Sequence, residues 1–463
     1  MREVDNKFQG PFHLIAIGGA GMAPIARNIL ARGEKVSGSD MTDSDNFHKL
    51  EKQGAKVTLG HDAKNLGDAK TVIVSSAIKP ENPELKAAKA AGLRVIHRSD
   101  ALAYLVNNSR AVCVVGTHGK TSTSALTAVA FEAGGKNPGH AIGAAVQDLE
   151  NVESKQSEFF VAEADESDGS FLKYYPEIAI VTNVEADHLD YYGTEKAVFK
   201  AFAKFISSVQ ENKGKVIICA DDAGNQRLML NHTEKFIRYG FQDADVIIKE
   251  FDIKNGKSVF TLATKHPDLE VLDNQDFIVN LPGKHNAYNA TAALIASALV
   301  DADIEKIKTA LENFGGAARR FDFKGKINGI SVYDDYAHHP TEVSSAVKAA
   351  KEVAHDNAVR VIFQPHLYSR TRNFAKEFAE SLDTADTVIV LDVFGARETR
   401  FDNISGETIT QHSDKAEFVV DKQEAVNKLA KTAKSGDVLM TIGAGDVTAL
   451  GKDILEALKE LDG

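Results

Sequence analysis

The segment Gly116-Thr117-His118-Gly119-Lys120-Thr121-Ser122 has the residue types and order that hold a nucleotide phosphate. The apolar run Ala111–Val115 reads as a strand and delivers the chain straight into it. The glycines let backbone N–H groups turn inward on phosphate oxygens, and the helix that opens at Lys120 adds its partial positive charge. Lys120 is placed to neutralise the β- and γ-phosphates, and the Thr121 hydroxyl to ligate Mg²⁺. The common phosphate loop has a glycine five positions before the second glycine; Val114 stands there, so this loop is shorter. A Gly-Lys-Thr at a helix start also arises by chance, but the strand–loop–helix context favours a nucleotide, and the loop alone says no more than that.

Further groups stand at strand ends. Glu163 and His188 follow two adjacent strands, Phe159–Ala162 and Ile178–Thr182. In a parallel sheet both would point toward the phosphate loop. A carboxylate with the Thr121 hydroxyl suits Mg²⁺, which prefers oxygen ligands. On residue type alone His188 is a hydrogen-bonded loop histidine. Asp165, Glu166 and Asp168 are either a solvated acidic loop or support for a metal site. Asn286 and Asn289 lie one turn apart on a helix face; they either bind adenine or ribose, or cap the helix after Pro282-Gly283. Arg320 is suited to charge developing on a γ-phosphate, although an Arg-Arg pair is more often a surface ion pair. Asp335, Tyr336, His338 and His339 follow the strand Ser331–Tyr333, at a sheet edge where ligands bind. Two neighbouring histidines without a third spaced ligand argue against zinc. Arg370 and Arg372 can meet carboxylate charge.

Near the N-terminus, the strand His13–Ile17 runs into Gly18-Gly19-Ala20-Gly21-Met22, which opens a helix. The dinucleotide fingerprint would place glycine at 16; Ala16 stands there and weakens an NAD reading. A UDP-sugar uses the same helix N-terminus for its diphosphate. Asp40, at the end of the next strand, can take ribose or uracil, or serve as a cap. Ser75 and Ser76 end the strand Thr71–Val74 and can support the diphosphate.

These groups need strands and helices in alternation to position them, and the whole chain has that pattern. The expectation is an α/β protein of three domains: an N-terminal Rossmann-like domain (1–108), a central P-loop ATPase domain with a mostly parallel sheet (109–321) and a C-terminal Rossmann-like domain (322–463). A chain of 463 residues fits about three domains. The central block includes a β-rich stretch, roughly Val246 to Val279. With 43% hydrophobic and 26% charged residues the composition is that of a globular protein, and a net charge of -12 argues against nucleic acid or an anionic membrane as partner. Cys113 and Cys219 sit in apolar runs without a metal-like spacing and read as buried packing. The absence of a disulfide framework, a signal peptide or a membrane span leads to the expectation of a cytoplasmic protein.

The motifs, taken in order, resemble the Mur ligases, the ATP-dependent amide-forming enzymes of bacterial cell-wall synthesis. After the loop come Glu-Ala-Asp-Glu-Ser-Asp at 163–168, Thr-Asn-Val-Glu-Ala-Asp-His-Leu-Asp at 182–190, and Pro-Gly-Lys-His-Asn-Ala-Tyr-Asn at 282–289. Arg-Arg-Phe at 319–321, Asp-Asp-Tyr-Ala-His-His-Pro-Thr-Glu at 334–342, Gln-Pro-His at 364–366 and Gly-Ala-Gly-Asp at 443–446 complete the series. The string at 163–168 and the string at 334–342 are most similar to the member that adds L-alanine to UDP-N-acetylmuramate. A tripeptide-recycling relative is the alternative. The Asp-Asn-Pro-Arg motif of the diaminopimelate- or lysine-adding members is not found.

The resemblance implies an acyl-phosphate route to the amide, giving ADP and phosphate, in peptidoglycan precursor synthesis by a monomer or homodimer. It implies Mg²⁺ at Thr121 and Glu163 with a second ion at His188. It makes Asn286, Asn289 and Arg320 ATP-binding residues and puts Asp335 on the nucleotide ribose. Tyr336, His338, His339 and Arg370 would face the substrates, and Gly18 to Met22, Asp40, Ser75 and Ser76 the UDP-sugar. Many members carry arginine directly after the histidine at 366; this chain has Leu367.

Overall fold

The structure is a computed structural model that describes residues 8–149, 157–230, 235–396, 398–400 and 403–460. It is an α/β protein in which each of the three expected blocks carries its own sheet. The first sheet is β1 (Phe12–Ile15), β2 (Val36–Asp40), β3 (Lys56–Leu59), β4 (Thr71–Val74) and β5 (Arg94–His97). It is parallel throughout, in the order β3-β2-β1-β4-β5. The order reverses at β1, and the glycine turn follows that strand, as in nucleotide-binding sheets of this type. The connecting helices have conventional starts. Pro24 sits in the first turn of Ala23–Ala31, and the Ser44 hydroxyl caps Asp45–Lys52 by accepting from the Phe47 N–H at 3.3 Å.

The second sheet contains β6 (Arg110–Val115), β7 (Gly139–Ala141), β8 (Phe159–Glu163), β9 (Ile178–Val181), β10 (Lys215–Cys219) and β11 (Ile237–Gly240). These run parallel in the order β7-β8-β6-β9-β10-β11. The expected adjacency of the strands before Glu163 and His188 needs correction. β8 and β9 are consecutive long strands of the sequence, but β6 stands between them in the sheet. The crossover therefore brackets the phosphate loop with both. The expected β-rich stretch forms β12 (Val246–Lys254), β13 (Lys257–Thr264) and β14 (Gln275–Val279).

The third sheet has the order β15-β16-β20-β17-β18-β19. Its strands are β15 (Asp322–Ile327), β16 (Ile330–Asp335), β17 (Val359–Phe363), β18 (Thr387–Val390), β19 (Ala416–Phe418) and β20 (Val438–Ile442). All pairings are parallel apart from the β15–β16 hairpin.

By compactness the chain divides into two units, one of residues 1–249, 261–277 and 288–311, the other of 250–260, 278–287 and 312–463. The first two sheets share a unit because they share a core. One continuous apolar cluster runs from Phe12 and Ile29 through Val115 and Phe160 to Phe205 and Leu228. Polar groups join them as well: Asn28 Nδ2 donates to the His140 carbonyl at 2.9 Å. The buried, unpaired Cys113 and Cys219 lie in this unit, and burial pushes the Cys219 thiol up to about 12. Among the described residues no helix is long and apolar enough to cross a membrane.

A buried acid supports the carboxyl edge of the first sheet. Glu84, with 0% exposure, enters from the first turn of helix Pro83–Ala90. Its Oε2 accepts from Ser39 Oγ at 2.5 Å and lies 3.3 Å from His13 Nε2; its Oε1 accepts from Asn65 Nδ2 at 2.6 Å and the Asp62 N–H at 3.2 Å. Burial alone would raise its pKa. The hydrogen bonds from His13, Ser39 and Asn65 outweigh that and hold it at about 2. A depressed acid stabilises the fold above its unfolded pKa, and the contribution is lost as pH falls through the folded value. Glu84→Gln is therefore expected to cost about 3 kcal/mol at neutral pH. In urea titrations the gap to wild type should stay constant above about pH 4.5 and close as pH falls toward about 2. A gap that is independent of pH would show that the ionised form carries no stability.

Candidate active site

The phosphate loop connects the end of β6 to helix Lys120–Ala133. Gly119 enters the helix in the left-handed region, φ 80°, and Gly116 lies at φ 141°. A side chain at Gly116 would stand 2.0 Å from Thr182 Oγ1, so the position has no room for a Cβ. The motif after β9 clamps the loop from outside. Thr182 Oγ1 donates to the His118 carbonyl at 2.7 Å, Asn183 Oδ1 accepts from the His118 N–H at 2.8 Å, and the Glu185 N–H reaches Thr117 Oγ1 at 2.9 Å. His118 Nε2 lies 3.4 Å from Glu185 Oε2. The backbone that would cradle phosphate is therefore fixed before any ligand arrives.

Lys120 Nζ donates to the carbonyls of Gly116 (2.6 Å) and Thr117 (3.0 Å) and to Glu166 Oε1 (2.9 Å). Burial works against its charge, but the Glu166 carboxylate prevails and raises its pKa. Glu166 is 2% exposed. The same Oε1 lies 3.3 Å from His188 Nε2. Burial works against the His188 charge too, and Glu166 with Asp187 outweighs it, so its pKa rises. His188 takes φ 54°, and Tyr192 Oη donates to the Glu166 carbonyl at 2.6 Å. Of the two alternatives for the acidic loop, Glu166 is no solvated residue.

Thr121 Oγ1 donates to Glu163 Oε1 at 2.9 Å, and Glu163 Oε2 accepts from the Gly143 N–H at 2.7 Å. The Thr121–Glu163 oxygen pair is a donor set that suits a hard divalent cation. His188 is brought to Glu166 instead. Glu166 Oε2 is buried and makes no hydrogen bond among the described residues, so this group also has an unsatisfied oxygen that a cation would complete. Asp165 is ionised more readily than usual: burial opposes this, but Ser167, Lys120 and Arg98 favour the charge. Asp190, the last residue of its motif, has a side chain outside the described residues.

Asn289 abuts the loop, its Oδ1 accepting from Thr123 Oγ1 at 3.0 Å and lying 3.1 Å from the place of a Gly119 side chain. Asn286 is buried and donates from Nδ2 to the Pro282 carbonyl at 2.7 Å, a bond that ties the first turn of its helix to the residues before it.

In the first sheet, the Gly18 N–H donates to Asp40 Oδ2 at 2.9 Å, and Asp40 Oδ1 accepts from the Thr42 N–H at 3.0 Å. Ala16 adopts φ 60°, a left-handed residue where the dinucleotide fingerprint would have glycine. Ser76 Oγ pairs with His97 Nε2 at 3.0 Å, and the Ser75 carbonyl accepts from the Ile78 N–H at 3.1 Å. Ala20 lines a cleft with Arg27, Asn46, Lys49, His140 and Gly143.

The second unit gathers its own group at the carboxyl edge of the third sheet. Asp335 ends β16 and accepts from the N–H groups of Phe321 and Ala337, both at 2.8 Å. Burial pushes its pKa up to about 6 despite Arg320 nearby. The Arg320 guanidinium lies over the Tyr336 ring at 5.1 Å. Arg319, given no role of its own from the sequence, donates to the carbonyls of Gly443 (2.6 Å) and Gly445 (3.1 Å) and fixes that loop. His338 is driven down to about 4 by burial and is neutral at pH 7. Its ring faces His366 at 5.9 Å, and Arg370 Nη1 meets His366 Nδ1 at 3.2 Å. His339 takes a different role. Its N–H donates to Glu342 at the start of helix Pro340–Ala354, and its ring packs on Phe374.

Comparison with known proteins gives matches along the whole chain. Three family models fit in order: "Mur ligase family, catalytic domain" over residues 11–110, "Mur ligase middle domain" over 114–297, and "Mur ligase, glutamate ligase domain" over 319–445. The UDP-N-acetylmuramate–L-alanine ligase of Paenarthrobacter aurescens is 47% identical, covering 97% of each chain. That of Renibacterium salmoninarum is 45% identical over 97% of this chain and 96% of its own. Among solved structures, the UDP-N-acetylmuramate-alanine ligase of Thermotoga maritima superimposes with a TM-score of 0.77 at 26% identity, covering 97% of this chain and 99% of its own.

Proposed function

The chain belongs to the Mur ligase family, and from that premise we propose that it joins L-alanine to the lactyl carboxylate of UDP-N-acetylmuramate as ATP is cleaved to ADP and phosphate. One observation carries the reading: a phosphate loop with Lys120, Thr121 and Glu163 at one sheet edge, in a chain similar to such ligases from end to end. The domains divide the work as 1–108 for the UDP-sugar, 109–321 for ATP and 322–463 for the amino acid.

The lactyl carboxylate oxygen attacks the γ-phosphorus, ADP leaves, and an acyl phosphate forms. The L-alanine amine then attacks the acyl carbon, phosphate departs, and the amine loses a proton. Lys120 meets negative charge that builds on the transferring phosphoryl group, and its buried, fixed setting strengthens the interaction. The N–H groups of the loop, locked by Thr182 and Asn183, orient the phosphates. Thr121 and Glu163 would hold Mg²⁺, and His188 with Glu166 the second ion; bound there, the ions would neutralise phosphate charge. Arg320 supports the γ-phosphate, Asn286 and Asn289 the adenine or ribose, and Asp335 the ribose. Tyr336, His338 and Arg370 face the substrates of the second unit, with His338 kept neutral by burial. His339 serves that site through its helix cap. Gly18 to Met22, Asp40, Ser75 and Ser76 take the UDP-sugar.

The test is ADP release by the full chain with UDP-N-acetylmuramate, Mg²⁺ and ATP across a panel of amine substrates. L-alanine is expected to stimulate release. Stimulation by the cell-wall tripeptide and not by L-alanine would overturn this choice in favour of the recycling ligase.

A further inference from the structure

We propose that Arg98 is the side chain that meets the diphosphate of the UDP-sugar. The inference rests on the reading of the glycine turn as the diphosphate site and adds its missing positive charge. The turn itself has no cation: it is Gly18-Gly19-Ala20-Gly21-Met22, and its Gly18 N–H is already engaged by Asp40. A diphosphate seated there would face the Asp40 carboxylate, offset by a helix N-terminus of about half a charge and, from the neighbouring cleft, by Arg27 and Lys49.

Arg98 lies on that turn. A Cβ built at Gly21 would stand 2.9 Å from Arg98 Nη1 and 3.5 Å from its Cζ. Gly21 is not among the positive-φ glycines, so its backbone does not call for glycine, and the guanidinium end of Arg98 is the nearest group to the place of its side chain. Arg98 follows β5 and opens helix Arg98–Asn107, at the same carboxyl edge as the turn after β1. His97, which precedes it, holds Ser76 at 3.0 Å. The guanidinium, the turn and the serine therefore converge on one edge.

The other neighbour of Arg98 is Asp165, at 3.9 Å, in a pair whose side chains are 31% and 44% exposed. A long, solvent-facing pair of this kind holds an arginine weakly. It leaves the planar fork able to offer two parallel donors to phosphate oxygens. Lys49 and Lys52 line the neighbouring cleft, on a helix whose charged face has the ordinary look of solvated surface.

The experiment is calorimetric titration of the full chain with UDP and with uridine, for wild type, Arg98→Lys and Arg98→Ala. Arg98→Ala is expected to weaken UDP about 10- to 100-fold while uridine changes less than about twofold. Arg98→Lys should fall between, because it keeps the charge and loses the fork. Uridine binding doubles as the check that the sheet is folded. Unchanged UDP affinity in Arg98→Ala, or an equal loss for UDP and uridine, overturns the assignment while leaving the site reading intact. A wild-type chain that binds neither ligand overturns the site reading itself, and the assignment with it.

Discussion

Lys120→Met will abolish ATP-dependent phosphate release, by about three orders of magnitude or more. It will also destabilise the fold, for a separate reason. Lys120 neutralises Glu166, which is 2% exposed, and removing one partner of a buried pair strands the other. The expected loss is about 3 kcal/mol, lessened to the extent that His188 at 3.3 Å compensates. The two effects separate in the double variant. Lys120→Met with Glu166→Gln should recover most of the stability in urea unfolding and none of the turnover. Recovery of turnover in the double variant would mean that Lys120 matters only as a counter-ion to Glu166.

Gly116→Ala should cost ATP binding about 100-fold and destabilise the chain by about 2–4 kcal/mol. A Cβ there would fall 2.0 Å from Thr182 Oγ1 and 3.0 Å from the Asn183 carbonyl oxygen. Thr182 cannot simply turn away, since its hydroxyl donates to the His118 carbonyl and so holds the loop. The backbone at φ 141° adds strain for any residue with a side chain. Gly193→Ala is the control. Its φ is 73°, yet nothing lies within 4 Å of the added carbon, so only backbone strain of about 1–2 kcal/mol remains. Equal loss of ATP affinity in both variants would remove the steric argument.

The sequence made the phosphate loop legible because its function depends on local order: strand, glycines, lysine and hydroxyls in one short run. Glu163 was legible for a similar reason, as an acid at the end of an apolar strand. Glu166 was not, since its partners Lys120 and His188 come from two other loops. Glu84 and Arg98 were missed entirely. Glu84 reads as an acid in a helical first turn, and only the fold brings His13 to it from 71 positions away. The strands that escaped notice follow the same logic. β15, Asp-Phe-Lys-Gly-Lys-Ile, is a half-exposed edge strand without an apolar run, and β7 has just 3 residues. Consequently Asp335 ends the second strand of its block, where the first strand legible in the sequence is Ser331–Tyr333. Three blocks were expected and three sheets formed, but the first two share a core, because helix Ala23–Ala31 packs toward β7 as well as its own sheet.

The central claim is that the γ-phosphate passes to the lactyl carboxylate before the amine attacks. UDP-N-acetylmuramate carrying 18O in both carboxylate oxygens tests it directly, by mass analysis of the phosphate formed with L-alanine and Mg-ATP. The expected result is one labelled oxygen in each phosphate released and the other retained in the amide. Phosphate free of label, formed at the same rate as the amide, would contradict the acyl-phosphate route and with it the role given to the loop.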